Sequence, residues 1–324
     1  MLRHAFALLA IAIAGSAASA DDGNPAYTSA ADAPIDYRYQ GEYLLSVEGE
    51  ADQKVGVQVI ALGEGKFDAV GYHGGLPGAG WMPGNDVTRA TGALEGDTLT
   101  LKADQGTATV RNGEMTVRDT DGTVLARGKR IERTSPTLGA KPPEGAIVLF
   151  DGSTADGFEQ GKLIEGNLLG ATNCTSKETL GDHVLHLEFR TPFMPLSRGQ
   201  GRGNSGVYMQ SRYELQVLDS FGLSGENNEC GGIYSISKPA VNMCLPPLSW
   251  QTYDIEFTAA RYEGDKKVAN GRATIRHNGV VIHDDLELTH GTPGCQPEGA
   301  GPLGLFLQDH GNPVAFRNIW VVKK

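Results

Sequence analysis

The stretch SGVYMQSRYELQVLDSFG, residues 205–222, holds a dense set of groups able to move a proton or grip a hydroxyl. Strict alternation puts Tyr208 and Gln210 on one face of a first strand. It puts Glu214 and Gln216 on the non-core face of a second, while Tyr213, Leu215 and Val217 turn inward. A phenol beside amides and a carboxylate offers a ring surface for C–H groups and forked polar groups for hydroxyls. A solvated outer sheet face, which more often carries Lys, Thr and Glu, accounts for the pattern about as well. Asp219 faces away from 214 and 216 by period two, and a β-bulge would return it to their side. Asn204, just ahead of the first strand, adds another amide.

A second cluster lies in LQDHGNPVAFRNIW, residues 307–320. Gln308, Asp309 and His310 end one strand, Gly311-Asn312-Pro313 turns, and Arg317 begins the return. A histidine beside an acid can act as general base, polariser or metal ligand, although an exposed turn histidine is more often none of these. In HVLHLEFR, Glu188 shares a face with His186 and Arg190, opposite Leu185, Leu187 and Phe189. Glu188, Glu214, Asp219, Asp309 and His310 could converge on a divalent cation, but nothing in their spacing demands one.

The elements that must carry these residues are short, Gly-punctuated and alternating in polarity, which predicts an all-β chain. From Tyr37 to about residue 134, an antiparallel meander of six or seven strands forms a small first domain, with hairpin signals at Asn112-Gly113 and Asp121-Gly122. The Gly-rich loop YHGGLPGAGWMPGND interrupts it. Residues 135–146, SPTLGAKPPEGA, read as a linker with three prolines. Residues 147–324 supply eight or more longer strands, enough for a two-sheet jelly roll.

The N-terminal residues 1–20 carry Arg3 and His4, an apolar run and Ala18-Ser19-Ala20, the pattern of a secretory signal with its cleavage site. Periplasmic or secreted localisation follows, and residues 21–36 read as a flexible lead-in. The apolar run is about half of the ~20 residues that a membrane span needs, so membrane insertion is not expected. A net charge of −11 without long runs speaks against nucleic acid and anionic membranes as partners. Cys174, Cys230, Cys244 and Cys295 make an even count in an exported chain, which suggests disulfides. Three connectivities are open. Cys230 with Cys244 is favoured because one loop excursion separates them, leaving Cys174 with Cys295.

Six segments occur in an order that resembles the 3-keto-disaccharide hydrolase domain family: LHLEFRT, GNSGVYMQSRYELQVLDSFG, CGGIYSISKPAVN, WQTYDIEFTAARY, IRHNGVVIHDD and LQDHGNPVAFRNIWV. The resemblance covers roughly residues 146–324 and implies a concanavalin-like jelly roll acting on glycosides whose C3 hydroxyl has become a ketone. It further implies Glu214 as base or acid and His310 as the complementary proton carrier, with Asp219 as a further catalytic carboxylate. Tyr208, Gln210, Gln216 and Gln308 would hold hydroxyls with Asn204. Glu188 and Asp309 come next, and Arg317 would orient a carboxylate. The strand 214–219 also resembles the bulged catalytic strand of laminarinase-type glucanases. Gln216 and Asp219 depart from that pattern, so a two-carboxylate glycosidase mechanism is not implied. The alternatives are a non-catalytic carbohydrate-binding module, and a structural sandwich in a surface assembly.

Overall fold

The computed structural model describes residues 24–324; the signal-like residues 1–20 lie outside the described residues. The first domain is built from β1 (Gly41–Val47), β2 (Glu50–Gly63), β3 (Lys66–His73), β4 (Val87–Glu95), β5 (Thr98–Ala103), β6 (Gly106–Arg111), β7 (Glu114–Arg118) and β8 (Val124–Ile131). These strands form a closed barrel in which β8 returns to pair with β1. The meander therefore has eight strands rather than six or seven, because Gly96-Asp97 and Asn112-Gly113 each split one run into a hairpin. Asn112 and Gly113 have φ 51° and 77°, the left-handed pair such a turn requires. Asp121-Gly122 instead sits in a wider turn, held by Asp119 accepting from the backbone N–H groups of Asp121 and Thr123.

The chain ahead of β1 does not hang loose. Tyr27 and Phe193 exchange backbone hydrogen bonds of 3.0 and 2.8 Å, and a single helical turn, α1 (Asp36–Tyr39), caps one end of the barrel. This corrects the reading of residues 21–36 as flexible for the part described. The Gly-rich loop tucks between the two halves of the molecule. Trp81 packs edge-on against Tyr72, and the Pro77 carbonyl accepts a 2.7 Å hydrogen bond from Arg133.

The second half is a sandwich of two antiparallel sheets. Its strands are β9 (Ile147–Phe150), β10 (Phe158–Glu159), β11 (Leu163–Ile164), β12 (Leu168–Gly170), β13 (Cys174–Leu180), β14 (His183–Arg190), β15 (Ser205–Met209), β16 (Tyr213–Val217), β17 (Gln251–Thr258), β18 (Gly271–His277), β19 (Val280–Leu288), β20 (Leu303–Leu307) and β21 (Ala315–Lys323). The larger sheet runs β11-β12-β21-β14-β17-β18-β19, with β9 also on β21. The smaller runs β10-β13-β20-β15-β16. Between them lie Leu185, Leu187, Phe189, Tyr253, Ile255 and Phe257 of the larger sheet and Val207, Met209, Leu215 and Val217 of the smaller. This core continues into Ile60, Val70 and Tyr72 of the barrel.

The segment 135–146 is a docked strap rather than a loose connector. The Thr137 hydroxyl donates to Asp254 (2.6 Å), the Gly139 N–H donates to Glu188 (2.6 Å), and the Ala140 carbonyl accepts from Asn318 and Trp320.

Candidate functional site

On β15 and β16 the odd-numbered residues fill the core, so the even-numbered ones face away from it. Glu214 lies directly across from Tyr208, and Gln216 across from Gly206. This outer face is not solvated, because loops before β15, after β16 and around β20 cover it. Tyr208 is fully buried, Gln216 is 1 % exposed and Glu214 is 5 % exposed.

The Glu214 and Tyr208 side chains lie side by side, close enough for the hydroxyl to favour the ionised carboxyl. Burial raises the Glu214 carboxyl to about 7, against the opposing effect of the neighbouring Tyr208 hydroxyl. The Tyr208 hydroxyl is pushed well above its usual range by burial and then by the neighbouring carboxylate, so it stays protonated. It lies 3.2 Å from the Pro293 carbonyl and accepts a 3.1 Å hydrogen bond from the Gln308 amide. The Glu214 backbone N–H donates to the Thr292 hydroxyl at 2.8 Å, tying β16 to the same loop. Gly206 is required here. A Cβ at that position would stand 2.7 Å from Glu214 Oε1 and 2.7 Å from the Tyr208 ring.

A second group of amides continues the face. Gln216 donates to Gln200 (3.0 Å) and to the Asn228 carbonyl (3.2 Å), and Asn204 donates to the Gln200 side chain (3.2 Å). Three acceptor oxygens here, Gln216 Oε1, Asn204 Oδ1 and Gln308 Oε1, have no hydrogen-bond partner among the described residues. Buried carbonyl oxygens normally have one, so an arrangement of three suits a ligand that brings hydroxyl donors.

His310 is exposed in the loop after β20, and Asp309 beside it is also exposed. The loop is pinned at both ends to the same region: Gln308 N–H donates to Gly206 O (2.9 Å), and the Asn312 side chain accepts from Asn204 N–H (2.8 Å). Asp309 spends one oxygen on the Gly311 N–H.

Four expected site residues lie elsewhere. Asp219 is buried in an ion pair with Arg202 (2.6 Å), and Arg202 also reaches the Ala61 carbonyl of the barrel. No bulge returns it to Glu214; it belongs to the contact between the two halves. Gln210 sits not on the strand face but in the hairpin loop, with φ 51°, donating to the Leu180 carbonyl. Glu188 and Arg317 are on the larger sheet, paired at 2.6 Å beneath the strap, with Arg317 stacked 3.9 Å over the Trp250 ring. Burial opposes ionisation of Glu188, but donors from His186, Asn318, Arg317 and Gly139 outweigh it and hold the carboxyl at about 2. That value suits a permanent structural charge, not a base.

The five possible cation ligands are therefore dispersed, and no group of three or more His, Cys, Asp or Glu placed to hold a metal exists among the described residues. The disulfide expectation is also corrected: all four cysteines are free thiols. Cys230 and Cys244 do lie close enough for each thiol to act on the other, with Cys230 Sγ 3.3 Å from the Tyr253 hydroxyl and Cys244 Sγ 3.5 Å from the Leu218 carbonyl. Cys174 is in β13 across from Leu307, with its thiol on the Gly170 carbonyl. The residues that sequence reasoning missed are Gln200, Asn228 and Thr292. Gln200 lies in a single 3-10 turn, Gly199–Gly201, and the other two lie in loops, where no periodicity marks which way a side chain points.

Residues 145–322 match the model of a family described as 3-keto-alpha-glucoside-1,2-lyase-like domain. The chain belongs to that family. The resemblance read from the six motifs thus holds over the whole sandwich of the 3-keto-alpha-glucoside-1,2-lyase-like domain. Among solved structures it is similar to a candidate glycosyl hydrolase from Parabacteroides distasonis, at 29 % identity and a TM-score of 0.51, over 56 % of this chain and 85 % of that one. A second candidate glycosyl hydrolase from the same organism matches at 17 % identity and a TM-score of 0.41, over 56 % of this chain and 94 % of that one. No curated protein matches the chain.

Proposed function

We propose that the chain is a carbohydrate-active enzyme that opens the glycosidic bond of a 3-keto sugar, with Glu214 as the base. The observation that carries this reading is a nearly buried carboxyl, raised to about 7, on a face whose other groups are amides and a phenol. A general base works best with a pKa near the operating pH, and burial supplies that here.

The chemistry starts from the ketone at C3, which acidifies the C2 proton. Glu214 takes that proton, and the electron pair moves onto the C3 oxygen as an enolate. Collapse of the enolate forms the C1–C2 double bond and breaks C1–O, so the second sugar leaves as an alkoxide that must be protonated. His310, exposed in the loop pinned beside the face, is the proton donor in this reading. Addition of water across C1–C2 then gives the free 3-keto sugar. Tyr208 remains protonated and fixes Glu214, while Gln216, Asn204 and Gln308 present their unpartnered oxygens to sugar hydroxyls. The Glu214 and Asp219 pair of a direct glycosidase has no part, since Asp219 is neutralised by Arg202. The N-terminal pattern supports a site of action outside the cytoplasm.

The test is an incubation of purified protein with a 3-keto disaccharide and with its non-oxidised parent, with and without chelator, beside Glu214→Gln. The expected result is cleavage of the ketone alone, lowered about 10²–10⁴-fold in the variant. Equal cleavage of the parent would remove the elimination mechanism. Tight binding of the 3-keto disaccharide without cleavage would favour the binding-module reading, for which the three unpartnered amide oxygens suffice.

A further inference from the structure

The barrel is filled at one end and hollow at the other. On several strands the inward-facing residues shrink toward that hollow end: Phe67 is followed by Ala69 and Gly71 on β3, and Val110 is preceded by Ala108 and Gly106 on β6. Large side chains gather at the end capped by α1, where Tyr43, Leu45, Phe67, Leu99 and Val110 are buried to 1 % exposure or less. Tyr39 of α1 packs edge-on against Phe67, and Tyr37 against Phe193 of the second half, which seals that end.

The small residues leave a cavity of about 660 Å³ toward the opposite end. This is within the ~300–1,000 Å³ typical of small-molecule sites. Eight strands also give a barrel interior wide enough for one small ligand when side chains do not fill it. The wall is aliphatic: Val55, Val57, Ala69, Leu101, Ala108 and Met115 line it, and no aromatic ring does. The polar lining comprises Gln53, His73, Thr88, Gln105, Thr107 and Thr123, with the charged Glu48, Glu50 and Arg118; Glu48 is paired with Arg127. A sugar site needs polar groups on several sides of the ring, and the aliphatic stretch of this wall offers none.

We propose that the barrel binds a single long-chain fatty acid, tail inward, with the carboxyl left among the hydrogen-bonding groups of the mouth. An aliphatic wall without buried charge stabilises a methylene chain by about 0.8 kcal/mol per buried CH₂ and offers nothing to a polyol. The carboxyl group stays near water, where Arg118 can pair with it and Gln53, Thr88 and Gln105 can donate to it, while Glu50 is the one lining carboxylate without an ion pair among the described residues. This site is distinct from the Glu214 face and does not depend on the glycoside reading.

The test is titration of the delipidated full chain with a fluorescent long-chain fatty acid whose emission rises in an apolar setting. Saturable one-to-one binding is expected, displaced by unlabelled palmitate and not by a disaccharide. Ala108→Phe, which fills the cavity, should weaken binding at least about tenfold. Ala90→Leu, a smaller addition to the same wall, makes the same test should the first variant fail to melt cooperatively. Absence of saturable binding would overturn the proposal, as would undiminished binding in a folded, cavity-filled variant.

Discussion

Glu214 holds its proton more tightly in the folded protein than in the unfolded chain, about 7 against 4.5, because burial opposes its charge more than Tyr208 relieves it. Between pH 4.5 and 7 the folded state keeps a proton that the unfolded chain releases, so the stability this group contributes is greatest below 4.5 and declines as pH rises to 7. Glu214→Gln has no such proton to lose. It should match the wild type near pH 4.5 and exceed it at pH 8 by about 3 kcal/mol at most, read as a rise in Tm. Activity should move the opposite way in the wild type, rising with pH through about 7 and levelling above it. A flat pH profile would remove Glu214 as the titrating base. At Asp219 the expectation is structural. Asp219→Asn leaves Arg202 charged and buried, which should cost about 3–5 kcal/mol in denaturant unfolding, while enzyme that remains folded keeps its turnover.

At the scale of elements, the alternation in YELQV placed Glu214 and Gln216 correctly on one face of β16, because a core-facing strand fixes its register. The same alternation misplaced Gln210, since the hairpin loop begins one residue after Met209. It could not reveal that HVLHLEFR and YELQV lie in different sheets, which separates Glu188 from Glu214. Sheet partnership is set by long-range pairing, such as β14 with β17 and β21, that local pattern does not encode. Gly206 shows the reverse case, a position whose need is visible only once two strands are paired. Gly206→Ala should displace Glu214 or Tyr208 and lower turnover by ten-fold or more, with a far smaller effect on the melting midpoint. An unchanged kcat would show that the close approach has no functional weight.

At the scale of the molecule, composition and turn residues sufficed for an all-β chain with a sandwich at its C-terminal end. Barrel closure was not legible, because it rests on β1 pairing with a strand some eighty residues later, β8. Nor was the role of residues 135–146, whose prolines suggest a connector while their backbone groups dock on Glu188, Asn318 and Trp320. Glu188 is held near 2 in the folded state, so its contribution is present above pH 4.5 and is lost as pH falls toward 2. Glu188→Gln should therefore loosen the strap at pH 7, seen as faster amide exchange at Gly139, and should make acid unfolding less steep between pH 4.5 and 2. Unaltered exchange at Gly139 would show that the strap is held by its other contacts.

Proton transfer at C2 is the step from which the rest of the proposed chemistry follows, and it can be watched directly. A 3-keto disaccharide incubated with the protein in deuterium oxide should gain deuterium at C2 of the keto sugar, detectable by NMR. Glu214→Gln should slow that exchange about a hundredfold or more. Exchange at C2 that proceeds as fast in the variant, or cleavage by the wild type with C2 fully protonated, would contradict Glu214 as the base.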